Sequence, residues 1–76
     1  MIDPDVILRS SHLDGHTFRA SIHGEIDLHN APTLRAAIFR ALDGKDVRQI
    51  VLDLSDVPYM DSSAIAVLVE TLQKVR

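Results

Sequence analysis

Cysteine and tryptophan are both absent from the 76 residues, and glycine and proline occur only three times each. Without a thiol there is no disulfide framework, no thiolate nucleophile and no Cys-based zinc site. So little glycine and proline, beside 46% hydrophobic residues, also excludes a low-complexity or fibrous chain. Charge of one sign is scarce as well. Eleven acids against eight bases leave a net charge of −3, too small to hold the chain unfolded by self-repulsion. It also has the wrong sign for a nucleic-acid or anionic-membrane partner, and Arg9, Arg19, Arg35 and Arg40 are dispersed among acids rather than gathered in a stripe. Long apolar runs are missing, and Met1-Ile2-Asp3-Pro4-Asp5 lacks the basic start of a signal peptide. The composition therefore predicts one cytoplasmic domain over residues 1–76, with no cofactor and no membrane insertion. A domain of this size buries only about 60% of its unfolded surface, so its stability is expected to be marginal.

The apolar residues that are present follow two periods. Val6 to Arg9 reads as a short strand. From Thr17 to His23, Phe18, Ala20 and Ile22 alternate with Arg19, Ser21 and His23, the pattern of a half-buried strand. Asp14-Gly15 between them suits a tight hairpin turn. After Gly24 the spacing becomes helical: Ala31, Leu34, Ala37, Ile38, Ala41 and Leu42 form a stripe. Asn30 is placed to cap this helix, Pro32 to occupy its first turn, and Gly44 to stop it. Phe39, at the margin of the stripe, is expected to make a partly covered contact with the sheet. The run Gln49 to Leu54 is almost continuously apolar, which predicts a parallel strand buried on both faces. A last helix starts near Ser62, with Ile65, Leu68, Leu72 and Val75 on one side and Ser63, Ala66, Glu70, Gln73 and Lys74 on the other. The order β-β-α-β-α predicts an α/β fold: an antiparallel hairpin, then a right-handed crossover to a parallel strand.

Chemistry concentrates in the segment Val57–Ile65, which joins the last strand to the last helix, because loops at the carboxyl ends of parallel strands carry the sites of α/β proteins. Asp61 is the expected cap of that helix. Ser62 then falls at its first position, beside unpaired backbone amides. Other chemistries lack their parts. Asp27, Asp53, Asp56 and Asp61 resemble the magnesium-binding acids of a receiver-like chain, but the late lysine of such a chain has no counterpart. His12, His16, His23 and His29 lack the spacing of a zinc helix, and no Gly-x-Ser-x-Gly elbow surrounds Ser62. The reading excludes an enzyme.

Three blocks in order, Gly24-Glu25-Ile26-Asp27, Ile50-Val51-Leu52-Asp53-Leu54-Ser55 and Met60-Asp61-Ser62-Ser63, resemble the STAS domain, and more narrowly the bacterial anti-sigma factor antagonists. The resemblance runs from about Val6 to Arg76. It implies a mixed STAS-like sheet with helices, Ser62 as the serine phosphorylated by an anti-sigma factor serine kinase, and that kinase as partner. Gly24, Glu25, Asp27, Asp61, Ser62, Ser63 and Ala64 are the implied partner-binding residues. Where the family usually has glycine after the two serines, this chain has Ala64, whose methyl is expected to alter recognition. The family also continues through a further strand and helix. Lacking them, the chain is expected to self-associate through an open sheet edge or its terminal helix. A second function that the resemblance allows is that of a STAS subunit supporting the ATPase of a lipid-transport ABC system.

Overall fold

A computed structural model describes residues 8–75. Strand β1 (Leu8–Asp14) and strand β2 (Thr17–His23) form an antiparallel hairpin, and β2 pairs in parallel with β3 (Gln49–Asp56), giving the sheet order β1-β2-β3. Helix α1 (Ala31–Leu42) makes the crossover between β2 and β3, and helix α2 (Ser62–Lys74) follows β3. The α/β class, the hairpin and the parallel crossover are as the sequence predicts. The hairpin turn is Gly15-His16, because Asp14 pairs with Thr17. Gly15 has φ of 63° while no non-glycine residue among those described has positive φ, so only the first turn position demands glycine, as in a type II′ turn.

The first strand is longer than its apolar residues suggest. Val6 and Ile7 lie outside the described residues, and the strand runs on from Leu8 through Ser10, Ser11 and His12 to Asp14. From Ser10 onward those residues are exposed, so their membership of the strand comes from backbone pairing with β2, which hydrophobic spacing does not register.

Phe18, Ala20 and Ile22 of β2 meet Leu34 and Ile38 of α1 and Ala64 and Val67 of α2 in one core. All of this lies on one face of the sheet. That corrects the expectation for β3: its burial alternates, with Ile50, Leu52 and Leu54 half-covered toward the helices and Val51 exposed on the other side. A near-continuous apolar run means two covered faces only if layers exist on both sides, and among the described residues nothing covers the second face.

Helix α2 also packs on a different side from the one its largest residues mark. Ala64, Val67 and Thr71 face the core, whereas Ile65 is 52% and Leu72 is 59% exposed. The core-facing stripe is rotated by roughly a quarter turn from the expected Ile65/Leu68/Leu72/Val75 line, of which only Leu68 and Val75 are partly covered. Small side chains at Ala64 and Thr71 let the helix approach closely, and the Thr71 hydroxyl is satisfied by donating to the Val67 carbonyl at 2.8 Å. Phe39 is half-buried on the seam between the helices. Its ring lies under Arg35 (4.4 Å) of its own helix and Lys74 (5.1 Å) of α2. Arg35 also reaches Glu70 of α2 at 3.1 Å.

Candidate functional site

Two loops leave the carboxyl ends of the parallel strands and continue side by side. The Gly24 amide donates to the Asp56 carbonyl (3.0 Å), that of Ile26 to Tyr59 (3.0 Å), and that of Asp61 back to Ile26 (3.1 Å). Ile26, fully buried, anchors the first loop beneath this ladder. Gly24 has φ of 91°, a conformation open to glycine and costly for other residues, and there the chain turns out of β2 into the loop.

Asp61 holds the junction together. Its Oδ1 accepts from the amides of Ser63 (2.9 Å) and Ala64 (3.3 Å), capping α2 as the sequence predicts. Its Oδ2 accepts from the Leu28 amide (3.2 Å), a cross-loop tie that the sequence does not signal. One carboxylate thereby fixes both the helix start and the Gly24–Leu28 loop.

Asn30 does not cap α1 with its side chain. Asp27 caps instead, one turn upstream: its Oδ1 accepts from the amides of His29 (2.9 Å) and Asn30 (3.3 Å), and its carbonyl accepts from Ala31. Asn30 Oδ1 returns a bond to the Asp27 amide (2.8 Å), the reciprocal arrangement of a capping box. The Asp-x-x-Asn spacing carried that signal. Asn30 Nδ2 further donates to the Glu25 carbonyl (2.7 Å), which stiffens the loop.

The implied site residues are thus brought together but divided in their work. Gly24, Asp27 and Asp61 shape the backbone. Glu25 and Ser62 are exposed and Ser63 is half-covered. Ala64 is fully buried against the core, so its methyl packs inward rather than on the exposed surface beside Ser62. Replacing Ala64 with glycine is expected to cost about 1–2 kcal/mol, from helix propensity and a lost buried methyl, with partner affinity unchanged. Chemical denaturation and a binding titration of the two forms check both halves. Sequence reasoning missed three exposed apolar residues on the two loops and the first turn of α2: Leu28, Tyr59 and Ile65. Their exposure depends on how the loops and α2 are set, which spacing alone does not reveal.

Near the site Arg9 pairs with Asp56 at the carboxyl end of β3, while Arg35 pairs with Glu70 between the helices. Two of the expected free amides at the start of α2 are taken by Asp61, and only that of Ser62 itself has no bond among the described residues. Near the end of β3, the Ser55 hydroxyl (2.6 Å) and amide (2.9 Å) donate to Asp53 Oδ1 and lower its pKa below the ordinary aspartate value. A lowered carboxylate pKa contributes stability above the unfolded value that is lost as pH falls through the folded one. Ser55→Ala should raise the Asp53 pKa and weaken that acid dependence, read by NMR titration of the Asp53 carboxyl. Among the described residues no pocket forms, and no three His, Asp or Glu side chains converge as metal ligands. No described helix is long and apolar enough to cross a membrane.

Comparison with known proteins agrees with this fold. The STAS domain family matches residues 11–76. The anti-sigma-B factor antagonist of Bacillus subtilis is 41% identical over 59 residues, which are 76% of this chain and 51% of that protein. The chain therefore spans about half the length of this relative. An anti-sigma factor antagonist from Mycobacterium paratuberculosis superimposes with a TM-score of 0.77 at 29% identity, covering all of this chain and 64% of the other. The Bacillus cell fate determinant SpoIIAA in its phosphorylated form shares the fold, with a TM-score of 0.62 at 23% identity over 87% of this chain and 62% of its own.

Proposed function

Because this chain belongs to the STAS domain family, we propose that it acts as an anti-sigma factor antagonist, switching partners by phosphorylation on Ser62. Unmodified, it binds an anti-sigma factor serine kinase in the cytoplasm and so frees a sigma factor. Phosphorylated, it lets go. The observation that carries this reading is the placement of Ser62: an exposed hydroxyl at the first position of α2, on a turn that Asp61 ties to the Gly24–Leu28 loop. A kinase needs a hydroxyl it can reach on a backbone that holds still, and this turn supplies both.

The chain is the substrate in this exchange and contributes no catalysis of its own. The Ser62 oxygen takes the γ-phosphoryl group of ATP, the hydroxyl proton passes to a base of the kinase, and ADP leaves. Glu25, Ser62 and Ser63 form the polar part of the docking face, with Leu28, Tyr59 and Ile65 as its apolar contacts. Such a mixture of a few exposed apolar anchors and a polar rim suits a reversible protein interface. The relative from Bacillus subtilis supports the identity of the partner as an anti-sigma factor.

Incubation with a cognate anti-sigma kinase and ATP, followed by phosphopeptide mass spectrometry, tests the assignment. Phosphate is expected on Ser62. Phosphate confined to Ser63, or none under conditions where the kinase modifies another antagonist, removes it.

A further inference from the structure

An aspartate followed by glycine is open to rearrangement of its own backbone, because no side chain on the second residue blocks the approach of its amide nitrogen to the aspartate carboxyl. The chain holds two such pairs, each within the same tripeptide: Leu13-Asp14-Gly15 and Leu42-Asp43-Gly44. Both pairs are exposed, both glycines have positive φ, and neither glycine amide makes a hydrogen bond among the described residues. By sequence they are equivalent. What separates them is how firmly the fold holds the aspartate.

Asp14 is held on both sides. It is the last residue of β1 and pairs across the ladder with Thr17. The second turn residue is fixed as well: the His16 carbonyl accepts from the amides of Arg48 (2.8 Å) and Gln49 (3.2 Å), and His16 Nδ1 lies 3.0 Å from the Asp46 carbonyl. Swinging the Asp14–Gly15 peptide would open the hairpin and detach its turn from the start of β3. Asp43 has less to lose. It follows the last residue of α1, its amide reaches the Arg40 carbonyl only at 3.4 Å, and one bond closes the turn, from the Lys45 amide to the Leu42 carbonyl (3.1 Å). No regular structure follows until Gln49. Asp61-Ser62, another pair with a small second residue, has its carboxylate tied to three amides.

We propose that Asp43-Gly44 is a site of spontaneous isomerisation to isoaspartate, and that the fold protects Asp14-Gly15 from the same reaction. The Gly44 nitrogen attacks the side-chain carboxyl carbon of Asp43. The carboxyl hydroxyl leaves with the amide proton as water, which closes a five-membered succinimide. Water then opens the ring. Attack at the side-chain carbonyl restores aspartate; attack at the main-chain carbonyl leaves the peptide bond on the side-chain carbon. The atoms balance with no oxidant and no enzyme. The Asp43 ψ of 129° does not bring nitrogen and carboxyl carbon together, so this peptide must swing before the ring closes. The rate therefore follows local opening of the backbone as much as sequence. The product carries one more carbon in the main chain, within the crossover from α1 to β3. That point lies at the far end of α1 from the Gly24–Leu28 loop, about 18 Å along the helix.

Incubation of the folded chain for weeks at physiological temperature and neutral pH, followed by peptide mapping with electron-transfer fragmentation, locates isoaspartate residue by residue. It is expected at Asp43, at about ten times or more its level at Asp14. Asp43→Asn and Asp14→Asn turn the same ring closure into a rate, because ammonia leaves in place of water and the hydrolysed product differs in mass. The Asp43→Asn protein should deamidate about tenfold or more faster than the Asp14→Asn protein when both are folded. In concentrated urea, where only the shared tripeptide remains, the two rates should converge. Circular dichroism checks that each variant keeps the fold. Equal rates in the folded proteins, or a faster reaction at position 14, would overturn the assignment. So would folded protein with no isoaspartate at Asp43 after a period in which the urea-unfolded chain forms it.

Discussion

Asp61→Ala is expected to lower stability by about 2 kcal/mol, which for a domain of this length shifts the melting temperature by about 10 °C. The substitution strands three backbone amides at once: Ser63 and Ala64 lose the cap of α2, and Leu28 loses its anchor. The first loss is ordinary capping energy, about 1 kcal/mol. The second adds a hydrogen bond to a charged acceptor, discounted because the Leu28 side is exposed to water. Asp61→Asn separates them. The amide oxygen can still accept from Ser63 and Ala64, but the NH₂ group then faces the Leu28 amide, donor against donor. The asparagine form should therefore recover about half of the loss. Thermal unfolding followed by circular dichroism gives the totals, and hydrogen exchange at Leu28 reports the tie alone. Equal stability of the asparagine and wild-type forms, with slow exchange at Leu28 in both, would show that the cross-loop bond is not made. Because the tie also fixes the Gly24–Leu28 loop, partner affinity should fall more than the stability loss explains.

The same residue shows how far sequence reasoning reaches. Its capping role was legible, because a cap is a local event written in a few adjacent residues. Strand β2 and helix α1 were legible for a similar reason: each buries one face, so burial leaves a period of two or of nearly four in the chain. What failed was everything decided between elements. The Asp61–Leu28 bond joins residues far apart in sequence. The exposed half of β1 is held by backbone bonds that any side chain allows. Helix α2 is apolar on two adjacent sides, and which side faces inward was settled by the close approach that Ala64 and Thr71 permit, against the pull of larger residues. Asn30 and Asp27 exchanged roles because a capping box and a simple cap share residue types. The candidate site divides along the same line. Its serine and its acids were legible as residues in a motif; the burial of Ala64 and the exposure of Leu28, Tyr59 and Ile65 were not.

Phosphorylation of Ser62 is expected to weaken binding to the kinase about a hundredfold or more while leaving the fold unchanged. A phosphate at the start of a helix ordinarily gains from the macrodipole and from free amides. Here Asp61 has already occupied the amides of Ser63 and Ala64, and only that of Ser62 remains. The neighbouring carboxylate also repels the new charge of about −1.5 to −2. These contributions nearly cancel, so stability should move by no more than about 0.5 kcal/mol. The effect must then arise at the docking surface. Ser62 is exposed on the same loop-and-helix junction as the exposed Leu28, Tyr59 and Ile65, and a dianion placed there must be stripped of water when a partner covers it. Three of the chain's cations, Arg9, Arg35 and Arg48, are already paired with Asp56, Glu70 and Asp46. A desolvation and steric cost of about 2.8 kcal/mol is a hundredfold in affinity. Ser62→Ala should keep the binding form permanently on. Ser62→Asp should reproduce the released form only in part, having less charge and a shorter reach. Calorimetric titration of the kinase with each form, beside circular dichroism, measures both quantities. Loss of helix on phosphorylation would make unfolding, rather than surface repulsion, the mechanism. Unchanged affinity after stoichiometric modification of Ser62 would remove this serine as the switch.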